Sequence, residues 1–336
     1  MVDLFRFHKW DLVSKRGMYY IISIVLVVIS LFSLLHGGLN LGIDFKGGGL
    51  VTYTVSGRIP DSNRVVDIVR TKLAETGDEK LRNADVQIAS SSTNDQFVIH
   101  TPLGEDASDQ DAIFTKQVSE VITPVMLEIA ADNNFKILND APDSQEVVSG
   151  TISREFMTSA VVASVVGMIL IMFWIWIRYN ISGGGFRYST AGIIALVQNL
   201  IILLGFFAVF RNYFQINSSF IAALLTVLGF TIHDTIIIFD RIRENIRLMK
   251  GKTFAETVNI SILETLSRSV NTVLTLLLTL FALLLFGGVT IRDIAVAMIV
   301  GVVAGAFSSI FIASQLLVSW AKPDQKSIDK DHLITS

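Results

Sequence analysis

Six stretches of mostly apolar residues dominate this sequence, at 18–35, 159–177, 191–210, 220–239, 270–286 and 294–318. Each approaches the roughly twenty residues that a helix needs to cross the hydrocarbon core of a bilayer. Inside that core backbone N–H and C=O groups must be paired within the protein, and an unbroken apolar run of this length does so as a helix. The sequence therefore predicts an α-helical polytopic membrane protein with six transmembrane helices. Only 17% of residues are charged, against about a quarter in a soluble domain. The charge concentrates between the first two stretches.

That distribution divides the chain into an N-terminal segment 1–17, a first helix 18–36, an exposed domain 37–155, a five-helix block 156–320 and a tail 321–336. The five helices of the block fall at about 159–177, 191–210, 220–239, 266–286 and 294–318. The first apolar run follows Arg6, Lys9, Lys15 and Arg16, as a signal peptide would. It is long for that role and no small-x-small cleavage site precedes Gly37-Gly38, so it reads as a retained helix. Basic residues recur at Arg178 and Arg187, after the fourth helix (Arg241, Arg243, Arg247, Lys250, Lys252) and in the tail (Lys322, Lys326, Lys330). With six spans all these clusters share one side, which places both termini in the cytoplasm and the domain 37–155 outside it.

The exposed domain carries its own pattern. Residues 50–55 alternate as a strand, and 61–75 repeat apolar residues at helical spacing behind an Asp start signal. Residues 85–89 and 96–100 read as two strands joined by a polar turn at 90–95. A helix at 109–133, disturbed near Pro124, and a strand at 135–138 complete the order β-α-β-β-α-β, the ferredoxin-like unit.

Several functions are disfavoured. A net charge of −3 offers no basic surface for nucleic acid. The absence of cysteine removes thiolate chemistry and disulfides. No His/Glu cluster has zinc spacing, and no cofactor is called for. The glycine-rich run 42–49 lacks the Gly-Lys-Ser/Thr ending of a P-loop. Asp234 and Asp240 lie about 120° apart around one helix, poor geometry for an aspartyl protease dyad. Nothing points to an enzyme.

The strongest single signal is Asp234, about 9 Å of helix inside Asp240. A carboxylate inside the bilayer costs about 2.5–3.5 kcal/mol on insertion scales, so its presence points to function. A hydrogen-bonded structural Asp facing the bundle is the plainer alternative. Arg268, near the start of the antiparallel fifth helix, is the expected partner, with snorkelling to the interface as its alternative. Asn271, Thr272, Thr275 and Thr279 follow Arg268 at helical spacing and predict a polar stripe aimed into the bundle, though such residues also serve as interhelical glue. Burial and a cation push a carboxylate's protonation in opposite directions, which makes it sensitive to small movements. His233 points about 100° away from Asp234 and is either a relay or a satisfied interior histidine. Thr235 lies beside them. Gln198 and Asn199 in the third helix can line a path without holding charge, and Gly301 and Gly305 offer a close-packing face.

Four segments carry a family resemblance. Gly42-Ile43-Asp44-Phe45-Lys46-Gly47-Gly48 resembles the signature that opens the exposed domain in the SecD/SecF protein-export family. The run from Asp234-Thr235 to Phe239-Asp240-Arg241-Ile242-Arg243-Glu244-Asn245 resembles the fourth helix of its SecF branch, and Thr265–Ser269 with Leu285–Gly288 resembles the fifth. The likeness spans nearly the whole chain. It implies an inner-membrane subunit, of the resistance–nodulation–division superfamily, that acts with SecD and the SecYEG translocon. Such a subunit uses the proton-motive force to pull unfolded, translocating polypeptide from the channel. By motif, Asp234 would carry the proton and Arg268 would be its basic partner; Gly42, Asp44, Phe45, Gly47 and Gly48 would form the structural signature. Three departures stand out: His233 replaces the usual Asn, Gln198-Asn199 replaces a His-Asp pair, and the junction 148–153 keeps its glycine-rich pattern only loosely. A small-molecule exporter of the same superfamily and a non-coupling structural subunit of the translocon remain as other readings.

Overall fold

A computed structural model describes residues 10–59, 61–90, 94–102, 110–133, 135–180, 185–249 and 251–321. The basic residues Arg6, Lys9, Lys250, Lys322, Lys326 and Lys330, half of the expected turn at 90–95 and the expected helix start at Asp109 lie outside the described residues. Among those described, six helices are long and apolar enough to cross a membrane.

The chain runs through α1 (Arg16–Gly37), a one-turn α2 (Ile43–Lys46) and β1 (Gly48–Thr54). It continues through α3 (Ser62–Glu75), the short α4 (Glu79–Arg82) and the hairpin β2 (Asp85–Ser90)–β3 (Asp95–Thr101). Next come α5 (Gln110–Gln117), a π-helical turn at Val118–Ile122 and α6 (Thr123–Asp132), then β4 (Ser144–Val148). The remaining spans are α7 (Gly150–Asn180), α8 (Gly185–Val209), α9 (Ser218–Leu248) and α10 (Phe254–Phe286). The last is composite: α11 (Gly288–Ser308), a π turn at Ser309–Ala313 and α12 (Ser314–Ser319).

The extramembrane domain is a four-stranded antiparallel sheet in the order β2-β3-β1-β4, with helices packed on one face. Residues along β3 alternate between buried and partly exposed, as a half-covered strand requires. Phe97 and Ile99 point into a core with Val51, Tyr53, Val69 and Leu73. The long disturbed helix breaks where its π turn accommodates an extra residue just before Pro124. The expected last strand is displaced. Residues 135–138 supply only a single bridge, Val55 to Ile137, and the edge strand forms later at β4. Asp143 fixes that register by accepting from the Thr54 N–H at 2.6 Å.

In the bundle, α8, α9 and the last span form the centre: 56%, 44% and 56% of their most apolar windows are buried, against 6% for α7 and 11% for α10. The helices outrun the apolar stretches. The moderate loop expected at 247–264 is mostly helix, because α9 continues to Leu248 and α10 starts at Phe254. A reciprocal Thr253/Glu256 capping box starts α10. The projecting ends are tied by Arg241 to Glu264 at 2.7 Å and by Asn245 donating to Ser261 at 3.0 Å.

Candidate functional site

The centre of α9 presents Thr231, Asp234 and Thr235 on its buried face, an arc set by the i, i+3, i+4 spacing. Asp234 is 5% exposed. The Ser269 hydroxyl of α10 donates to its Oδ1 at 2.6 Å, and its Oδ2 has no hydrogen-bond partner among the described residues. One strong bond and one bare oxygen leave the ionised carboxylate poorly compensated in a low-dielectric bundle.

The expected pairing of Asp234 with Arg268 is replaced by this bond to Ser269. Neighbouring positions on a helix differ by about 100°, so when Ser269 faces α9, Arg268 turns outward. It is exposed and makes no ion pair among the described residues. The stripe expected to enter the bundle departs in the same way. Asn271, Thr272, Thr275 and Thr279 lie on the exposed face of α10, and the three threonines bond to backbone carbonyls of their own helix. The buried hydroxyl stripe is Thr257, Ser261, Thr265 and Ser269. Its strict four-residue spacing is legible in the sequence; the polar run beside it, which includes the arginine, masks it. His233 is also exposed, on the face of α9 away from Ser269.

A second polar layer joins two more spans to α9. Asn199 of α8 donates to the Thr231 hydroxyl at 2.8 Å. Ser309, at the π turn of the last span, bonds the Thr235 hydroxyl at 2.8 Å and donates to the Thr231 carbonyl at 3.1 Å. The π turn re-aims Ser309 to this position, a common use of such turns at functional sites. Gly305 makes room: a Cβ there would run into the Thr231 hydroxyl and sit 3.0 Å from Asn199 Nδ2. Gln198 and Gln315 are buried nearby in α8 and α12. At the far end of α9, Asp240 accepts from Arg178 and from the Tyr179 hydroxyl, both at 2.8 Å.

The signature residues sit elsewhere, where the extramembrane domain meets the bundle. Gly42 N–H donates to the Ile216 carbonyl at 2.8 Å. Asp44 accepts from the Ser218 N–H at 2.6 Å, and Phe45 is buried among Phe207, Phe220 and Leu224. Gly47 and Gly48 take φ of 71° and 127°, backbone that side chains resist. A Cβ on Gly48 would come 2.6 Å from the Thr101 carbonyl oxygen.

Fold and site together define a polytopic helical membrane protein with one extramembrane α+β domain and a carboxylate buried at mid-bundle, held by a hydroxyl. Residues 130–323 match the model of the family described as "Protein export membrane protein SecD/SecF, C-terminal", and 32–56 match "SecD/SecF GG Motif". The protein translocase subunit SecF of Thermobaculum terrenum is 34% identical over 94% of this chain and 95% of its own. The protein translocase subunit SecDF of Bacillus subtilis is 30% identical over 94% of this chain, which spans 38% of that longer one. The crystal structure of SecDF, a translocon-associated membrane protein from Thermus thermophilus, superposes with a TM-score of 0.73 at 30% identity, covering 93% of this chain and 38% of the other. The chain belongs to the SecD/SecF family of protein-export membrane proteins, among its SecF translocase subunits.

Proposed function

We propose that this chain is an accessory subunit of Sec protein export whose bundle couples proton movement through Asp234 to motion of its extramembrane domain. It performs no chemistry on the polypeptide. In this reading both termini are cytoplasmic, the domain lies on the outer side of the inner membrane, and SecD, the SecYEG translocon and the emerging unfolded chain are the partners. One observation carries the proposal: Asp234 is buried with a single hydroxyl donor and a bare second oxygen. Such a group changes its interactions sharply when it gains or loses a proton. Protonated, it can donate as well as accept. Ionised, it draws a cation, and Arg268 lies one helical position from Ser269. Rotation of α10 or a swing of the long side chain would exchange the hydroxyl for the guanidinium. One charge crossing the membrane field supplies about 2.3 kcal/mol per 100 mV, a bias of about fifty-fold in a two-state equilibrium.

The exposed polar face of α10 supports a partner half. Arg268, Asn271 and Thr275 are an expensive surface to leave toward lipid, and the fused SecDF relatives carry more chain than this one spans. SecD covering that face would complete the site around Arg268.

The test is export in cells carrying Asp234→Asn, with the membrane potential intact and collapsed. Release of a secreted protein should fall to the collapsed-potential level while the subunit still copurifies with SecD; Thr275→Trp on the docking face should lose that copurification. Unchanged release in Asp234→Asn would make the buried charge structural and the subunit a scaffold.

A further inference from the structure

The signature segment is a joint between three elements. Asn40 and Gly42 exchange backbone hydrogen bonds with Ile216, each at 2.8 Å, forming a parallel bridge from Leu41 to Ile216. Two residues on, Asp44 Oδ2 takes the Ser218 N–H, the first of α9, at 2.6 Å. A helix start leaves four N–H groups without internal partners. Here one, Phe220, goes to the helix's own cap, Asn217, at 2.9 Å. Another goes to a carboxylate 174 positions away in sequence, in the extramembrane segment. A negative acceptor suits that end of the helix dipole, and a bond this short is of the charge-assisted kind. At the other end of the signature, Gly47 backs against Gly150 and Ser153 of α7, and Gly48 opens β1. The neighbouring Gln215 lies beside His100 of β3 and Asp293.

We infer that Asp44 is a positioning residue that couples the extramembrane domain to α9, so that displacement of the helix carrying Asp234 is delivered to β1. The inference rests on the reading of Asp234 as the switch. Ser218 and Asp234 are 16 positions apart on one helix, about 24 Å of continuous α-structure. A shift at the buried carboxylate therefore reaches Ser218 as rigid motion. Asp44 holds that end by a directional bond, while Phe45 seats the same turn in the apolar cluster. The rest of the signature then acts as the joint: two glycines in backbone states closed to other residues turn the chain directly into the sheet.

The chain has no cysteine, so introduced pairs label it cleanly. Spin labels at Glu75→Cys, on the exposed end of α3, and at Tyr213→Cys, 77% exposed beside α9, report the distance between domain and helix. The measurement uses the full chain with its SecD partner in nanodiscs. Asp234→Asn should shift the distance distribution when Asp44 is present. Asp44→Ala should abolish that shift, broaden the distribution and speed amide exchange at 218–221 about fivefold, the scale of a lost helix cap. Asp44→Asn keeps an acceptor oxygen and should restore the shift. Asn217→Ala weakens the same helix end without touching the domain and should leave it intact. A shift that survives Asp44→Ala overturns the coupling role of Asp44 alone. No shift on Asp234→Asn with Asp44 intact overturns the switch reading and the coupling with it.

Discussion

Asp234 and Ser269 form the smallest unit of the proposed mechanism. The hydroxyl donates at 2.6 Å, and a hydrogen bond to a charged group contributes about 1.5–3 kcal/mol. Ser269→Ala should reduce export roughly ten-fold or more, whereas Ser269→Thr, which keeps the hydroxyl, should retain most of it; equal activity in the two variants would separate Ser269 from the switch. His100 is a second titratable residue with a definite consequence. Burial pushes its pKa below the ordinary 6.5, opposed by Asp85 and the Gln215 side chain and reinforced by Lys46. The unfolded chain therefore binds more protons than the folded one between the depressed value and 6.5. Stability should rise with pH across that window and level off above it. Thermal melts of the purified chain from pH 5 to 8 should show this slope, and His100→Gln should flatten it.

Among the elements, long helices were the most legible and their ends the least. Six apolar runs are visible because the bilayer demands their length, but α9 and α10 continue past the apolar window on caps and ion pairs such as Thr253/Glu256 and Arg241–Glu264. Hydropathy does not register these. Asp234 stood out because an isolated carboxylate in an apolar run is costly anywhere. Its partner did not, because Arg268 and Ser269 are adjacent and helical phase, set by tertiary packing, decides which one faces inward. In the domain the central strands and both helices followed their periodicity. The edge strand did not: 135–138 is apolar enough to pair, while β4, polar at Ser144, Gln145 and Glu146, is placed by its ladder to β1. The last span depends on Gly305 for its approach to α9. Gly305→Leu forces side-chain atoms into the Thr231–Asn199 contact and should cost about 1–3 kcal/mol, the scale of overpacking. A melting temperature equal to that of the parent chain would show that the approach can relax.

For the whole molecule, the architecture reads as half of a larger machine. Three central spans hold a polar interior, the outer face of α10 carries the charge that its buried carboxylate lacks, and a jointed domain stands on the start of α9. Among the described residues Asp234 has a hydroxyl partner and no cation, and Arg268 is exposed and makes no ion pair. Under the proposed function, proton movement, partner docking and domain motion would therefore meet on two helices. The most direct test is proton flow during translocation in membrane vesicles containing the full complex, comparing the parent chain with Asp234→Asn at equal subunit content. Loss of the translocation-coupled flow in the variant is expected if Asp234 carries the proton; flow equal to that of the parent chain would contradict it.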